Sequence, residues 1–277
     1  MIPLSQTIIQ ADWDAPDNIR TLITTRMGGY SLPPYKSFNL AMHVGDVPQS
    51  VEQNRKRLGE LLPSEPKWLN QIHSSRIINA ADTELQADAD GSITAQKNIV
   101  SVVMTADCLP ALICNRQGSA VAAVHAGWRG LLAGILEQGA EQLLKLSTCQ
   151  KEEVLVWLGP AIGPNHFEVG DDVRQAFLAR AQGRGQSHYE SIERCFAKHT
   201  KTSDGQNKYL ADIYQLARVR LSAIGVDNVS GGHYCTYSEA DKFYSYRRDG
   251  VTGRMASMVW IDQAEMQPEL IKQQREQ

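Results

Sequence analysis

The sequence predicts an α/β protein: a mixed β-sheet sandwich flanked by helices. Three observations lead there. Short apolar or β-branched runs bounded by turn residues alternate with runs whose apolar residues recur at three- and four-residue spacing, so strands and helices are interleaved. The composition, 42% hydrophobic and 21% charged over 277 residues, is that of a globular chain with enough material for a sizeable core. Some neighbouring strand-like runs are joined by connections too short for a parallel crossover. Arg116 to Ser119 is the clearest, so antiparallel pairs must be mixed into the sheets.

In chain order, Ile19 to Thr25 is the first strand-like run, and helical spacing follows at Val51, Leu58, Leu61 and Leu62. Lys67 to His73, Asn98 to Met104, Leu109 to Cys114 and Ala120 to His125 read as strands. The last of these runs through a Gly-containing turn into Leu131, Leu132, Ile135, Leu136, Leu143 and Leu144, spaced as one helix. Val154 to Leu158 is a further strand. The loop GPAIGPNHFEVGDDV then leads to a helix starting near Asp171 or Asp172, and Leu210, Ile213, Ala217, Leu221 and Ile224 mark another. No Pro/Ser-rich linker separates two self-sufficient halves, so residues 1–265 read as one domain and 266–277 as a polar, fraying tail.

Charge and cysteine usage exclude several classes. Twenty-eight Lys and Arg against 31 Asp and Glu give a net charge of −3, which offers no bulk attraction for nucleic acid or an anionic membrane. The N-terminus lacks a basic region followed by an unbroken apolar stretch, and no run approaches the roughly 18 apolar residues of a membrane span. Five cysteines without a CxxC pair suit a reducing compartment, so a cytoplasmic protein is expected. The sequence sets no oligomeric state.

Three soft or borderline metal ligands fall at the ends of strand-like runs: His73 in NQIH, Cys108 in TADCLP and His125 in VAAVHAGWRG. One thiolate and two imidazoles suit zinc or copper, and three protein ligands leave a position for water or substrate. The plain alternative is a buried Cys108 with two core histidines. A Cys108–His125 dyad forming a thioester needs no metal, but it leaves His73 without a task. The turn Gly127–Arg129 enters a helix and is a candidate anion contact, as are Arg26 beside two glycines and Arg247 and Arg248 among aromatics. Asp107, Glu168 and Asp171 are candidate proton shuttles.

Taken together, TTRxGGxS, SFNLAxHVGD, NQIH, TADCLPALI, HAGWRG, GPAIGP and GGxxCTYS…FYSYRRDGxTGR resemble the YfiH-type laccase-domain family over about residues 24 to 260. The resemblance implies an α/β sandwich similar to the catalytic domain of cytotoxic necrotizing factors, with His73, Cys108 and His125 matching a zinc- or copper-binding triad. It implies one of three activities: polyphenol oxidation, purine nucleoside phosphorolysis with adenosine deamination, or peptidoglycan editing. Multicopper oxidation relies on several His–x–His pairs, and this chain has seven histidines and no such pair. The expectation is therefore a metal-dependent phosphorylase acting on adenosine, inosine and methylthioadenosine. Its substrates are a purine nucleoside and phosphate. Arg26, Arg129, Arg247 and Arg248 are the phosphate candidates, and Asn39 and His43, inside a matching string, are candidate substrate contacts. A Cys108–His125 amide hydrolase acting on a cell-wall precursor is the alternative, with copper-dependent polyphenol oxidation behind it.

Overall fold

The computed structural model describes residues 3, 7–82, 86–201 and 205–263; the tail at 266–277 lies outside them. In chain order the elements are β1 (Ile8–Ile9), β2 (Ile19–Thr24), α1 (Pro48–Gly59), β3 (Ile77–Asn79), β4 (Gly91–Thr94), β5 (Ser101–Thr105), β6 (Leu109–Asn115) and β7 (Val121–Ala126). Then come α2 (Trp128–Ala133), α3 (Ile135–Ser147), β8 (Val154–Leu158), β9 (Glu168–Gly170), α4 (Asp171–Ala181), α5 (Gln186–Glu193), β10 (Phe196–Lys201) and β11 (Asn207–Ala211). The chain closes with α6 (Ile213–Ser222), β12 (Val229–Gly231), α7 (Tyr246–Asp249) and β13 (Met255–Ile261).

Two sheets form the centre. One is antiparallel in the order β1-β2-β13-β5; the other is mixed, in the order β12-β8-β6-β7-β4-β3, with parallel pairs at its two edges. A three-stranded sheet, β10-β11-β9, lies beside α4. The short connection at Arg116–Ser119 does make an antiparallel hairpin, β6 with β7.

Period-two alternation explains the layering. On β6, Leu112 and Cys114 pack with Val103, Val259 and Ile261 of the antiparallel sheet, whereas Ala111 and Ile113 face the other way onto Leu136 and Ala140 of α3. Outside the antiparallel sheet, Leu58 of α1 covers Leu22, Val102, Met258 and Trp260. The order is helix, sheet, sheet, helix, and each fully buried Leu or Ile contributes roughly 1.5–3 kcal/mol. On β7, Val121 and Ala123 face the opposing sheet, and the same alternation sends His125 to that side, at the last residue but one of the strand.

Several elements differ from the sequence expectation. Lys67–His73 forms no strand but only the isolated bridges Lys67↔Ser101, to the edge strand β5, and Asn70↔Asp88. The Leu-rich helix is two helices: Gly134 turns left-handed (φ 97°) and its N–H closes onto the carbonyls of Gly130 and Leu131. Leu210 belongs to β11, and α6 starts only after Asp212, whose side chain accepts the Gln215 N–H at 3.0 Å. No helix among the described residues is long and apolar enough to cross a membrane.

Candidate metal centre

Three separate segments deliver the site. His125 comes from β7 and is 3% exposed. Cys108 follows the β5–β6 turn, where Asp107 takes a left-handed φ of 89°. That conformation is held by the Asp107 carboxylate, which accepts the Thr236 hydroxyl at 2.6 Å and the Arg247 backbone N–H at 2.7 Å. His73, also left-handed at φ 59°, follows Gln71, whose amide clamps both backbone groups of Met104 on β5. The three ligand atoms lie within 4.8 Å of one another, and Cys108 Sγ is 3.9 Å from His73 Nε2.

Donor chemistry and spacing fit a metal ion. Zinc bonds of about 2.3 Å to sulfur and 2.0–2.1 Å to nitrogen, set tetrahedrally, hold ligand atoms about 3.3–3.6 Å apart, so the Cys108–His73 pair at 3.9 Å needs to close by only a few tenths of an ångström. The widest separation, within 4.8 Å, needs to close by up to about 1.5 Å. Gly127 makes room for this: a Cβ there would sit 2.9 Å from His73 Cδ2 and 3.2 Å from Cys108 Sγ.

Asp90 organises both histidines. It is fully buried and accepts His125 Nδ1 at 2.8 Å and the His73 N–H at 2.9 Å on Oδ1. Its Oδ2 accepts the N–H groups of Ile72 (3.3 Å) and Ser74 (2.6 Å) and the Ser74 hydroxyl (2.8 Å). The Nδ1 bond leaves His125 Nε2 to face the ion, the usual carboxylate–histidine support of a metal ligand. Burial opposes the charge on Asp90, yet the His125 and Ser74 hydrogen bonds hold its carboxyl below the usual range.

Without a metal, the same cluster is a thiolate–imidazolium pair. Burial would raise the Cys108 thiol, but the His125 charge and hydrogen bonds from both imidazoles bring it down to about 6. Burial would lower His125, and the Cys108 thiolate with the Asp90 bond lifts it to about 9.

The three ligands line a cavity of about 360 Å³ together with His43, Gln71, Tyr246 and Arg254. Of the sequence-chosen contacts only His43 reaches it; burial and the flanking Arg254 and Arg55 lower its pKa, favouring the neutral ring. Asn39 is buried and spends its amide on Ala41, Asp46 and Arg254 N. Arg26 donates to the carbonyls of Lys36 and Ala240. Arg248 clasps the carbonyls of Thr236, Tyr237 and Phe243 as well as Asp249, and Arg247 donates to His166 O and Glu168 O. Arg129 is exposed over the Trp128 ring, at the start of a six-residue helix. Glu168 and Asp171 lie outside the cavity wall, near His199 and Arg174 respectively.

Sequence reasoning missed Asp90 and Arg254. Arg254 stood inside the quoted FYSYRRDGxTGR string but was passed over for its two neighbours; Asp90 had no signal beyond its place before the Gly91 that opens β4. Arg254 uses Nη1 on the carbonyls of Thr252 and Gly253, leaving Nε and Nη2 without a protein partner among the described residues.

Comparison with known proteins gives the family. Residues 20–262 match the family described as multi-copper polyphenol oxidoreductase laccase. The chain belongs to that family. It is 48% identical over 250 residues to purine nucleoside phosphorylase PA4543 of Pseudomonas aeruginosa, covering 90% of this chain and 96% of that one. It is 47% identical over 257 residues to purine nucleoside phosphorylase YfiH of Escherichia coli, covering 92% and 98%. Among solved structures, NMB0706 of Neisseria meningitidis superposes with a TM-score of 0.82 at 45% identity, covering 92% and 99%. YlmD of Geobacillus stearothermophilus does so with 0.79 at 27% identity, covering 95% and 98%.

Proposed function

We propose that the protein is a cytoplasmic, metal-dependent purine nucleoside phosphorylase that accepts adenosine, inosine and methylthioadenosine. One observation carries the reading: a single cavity is lined by both the His73–Cys108–His125 cluster and the Arg254 guanidinium, which has no ion-pair partner among the described residues. The names of the relatives support it.

In phosphorolysis a phosphate oxygen bonds to the ribosyl anomeric carbon as the bond to the purine nitrogen breaks. The bonding electrons leave with the base, which then takes a proton. Arg254 meets the requirement for a fixed cation at an anion that must be held against the sugar, and neutral His43 beside it can donate one further hydrogen bond. These groups stabilise charge most where water is excluded. Zinc or copper bound by His73, Cys108 and His125 would supply Lewis acidity to the same cavity. Asp90 keeps His125 in the tautomer that presents Nε2, and Gln71 ties the His73 loop to β5. A deaminase side reaction, in which water replaces the 6-amino group of adenosine, requires the base rather than the sugar beside the cluster.

The test is phosphate dependence. Zinc-loaded protein given adenosine should produce adenine and ribose 1-phosphate in equal amounts with phosphate present. Adenine release at an unchanged rate without phosphate overturns the reading.

A second reading draws on the lowered Cys108 thiol and raised His125, with Asp90 2.8 Å behind the imidazole. That is the layout of a Cys–His–Asp amide hydrolase, suited to a peptidoglycan precursor. His73→Ala separates the two, because it removes activity if a metal is needed and spares it if the dyad works alone.

A further inference from the structure

A second cavity of about 320 Å³ adjoins the metal-site cavity, and the two share His43 and Met104 as wall residues. Its chemistry differs from that of the inner one. The Arg55 guanidinium sits over the Trp68 ring, 4.0 Å from its centroid, and is anchored by its Nε–H to the Leu40 carbonyl at 2.9 Å. Trp68 in turn is fixed by its indole N–H, which donates to Glu65 at 2.7 Å. Beside this platform stand two amides. Asn70 spends its NH₂ on Asp88 at 2.6 Å, which leaves its carbonyl oxygen as an acceptor. Gln86 is pinned only through its backbone N–H, which donates to Trp68 O at 2.9 Å, and its side-chain amide has no partner among the described residues.

We propose that this outer cavity is the nucleobase subsite, with a purine lying on the Arg55–Trp68 platform, Gln86 and Asn70 reading its edge, and the ribose passing between His43 and Met104 to the inner cavity. The inference rests on the phosphorylase reading and says which part of the substrate goes where. A fixed guanidinium plane stacks well on a heteroaromatic ring. A side-chain amide pairs in bidentate fashion with adenine, accepting from N6 and donating to N7. With hypoxanthine, whose N7 and O6 both accept, the Gln86 NH₂ donates to this edge while its oxygen turns away, and the Asn70 oxygen is left to accept the N1–H that only the 6-oxo base carries. One pair of amides therefore accommodates 6-amino and 6-oxo purines alike, while a pyrimidine has no N7 for Gln86 and less ring for the platform.

Steady-state kinetics on the zinc-loaded full chain test this with Gln86→Ala and Gln86→Glu, both at an exposed position outside the metal cluster. Gln86→Ala should raise KM for adenosine and inosine about tenfold and leave KM for phosphate unchanged. Gln86→Glu keeps the acceptor and loses the donor, so the ratio of kcat/KM for adenosine over inosine should rise about tenfold. Phosphorolysis with wild-type KM values and an unchanged base ratio in both variants overturns the subsite. If the wild-type protein shows no phosphate-dependent cleavage, the proposed reaction falls, and calorimetry with adenosine then decides the subsite alone. Binding that Gln86→Ala weakens about tenfold supports it; equal binding by both proteins, or none by wild type, overturns it.

Discussion

Replacing Asp90 by Asn removes one acceptor atom and adds one donor at the same volume, so its effect can be worked from the five hydrogen bonds Asp90 accepts. If the Asn oxygen stays on the His125 side, the new NH₂ opposes the Ile72 and Ser74 N–H groups. If it turns over, the NH₂ opposes the His73 N–H and faces His125 Nδ1, which must then give up its proton and leave Nε2 protonated, unable to ligate. Either way one or two part-buried backbone donors lose their acceptor, at about 1–3 kcal/mol each. The expected loss in the metal-free protein is therefore about 1–6 kcal/mol, or roughly 3–20 °C in melting temperature for a chain of this size. Zinc affinity, read by competition with a chromophoric chelator, should fall about 10- to 100-fold, as for other partners that support a metal-ligating histidine. If Asp90→Asn melted within 2 °C of wild type and bound zinc within about twofold, the claim that Asp90 organises the site would be wrong.

Four further outcomes are expected. Gly127→Ala should cut zinc affinity about tenfold or more with little change in melting of the metal-free protein, because the new methyl group meets two ligands rather than a helix neighbour. In metal-free protein, alkylation of Cys108 by iodoacetamide should reach half its plateau rate near pH 6, since the reactive thiolate forms as pH rises through that value. Cys114 and Cys195, pushed up to about 12 by burial, should stay silent, and zinc should protect Cys108; peptide mapping of the label reads all three. Arg254→Ala should raise KM for phosphate at least about tenfold and leave nucleoside KM near wild type in phosphorolysis assays. Arg220→Met should destabilise by about 3–5 kcal/mol, because it leaves the buried Glu137 uncompensated, whereas Glu137→Met with Arg220→Met should cost far less, both measured by denaturant unfolding.

What the sequence revealed and what it hid follow from how far each signal travels along the chain. β6 and β7 were legible because their alternation is local and their connection short. The convergence of His73, Cys108 and His125 was legible because two imidazoles and a thiol at strand ends are unusual chemistry wherever the fold carries them. Gly134 breaks the Leu-rich helix without disturbing the apolar spacing, so periodicity alone could not register the break. Arg26, Arg247 and Arg248 looked like anion contacts because a guanidinium among aromatics and glycines suits an anion; it serves loop carbonyls equally well, and those carbonyls lie close only in three dimensions. Asp90 was invisible for the same reason, since its role exists only once residues 72–74 and 125 have closed around it.

The three ligands are not anchored alike. His125 sits in a strand hydrogen-bonded on both sides, by β6 and β4, whereas His73 rides an exposed, left-handed loop residue tied to the sheets through Gln71 and Asp90. Opening the strand costs something close to global unfolding; swinging the loop costs far less. An ion departing from this centre would first part company with residue 73, so the lifetime of the loaded state is governed by that loop and not by the core beneath it.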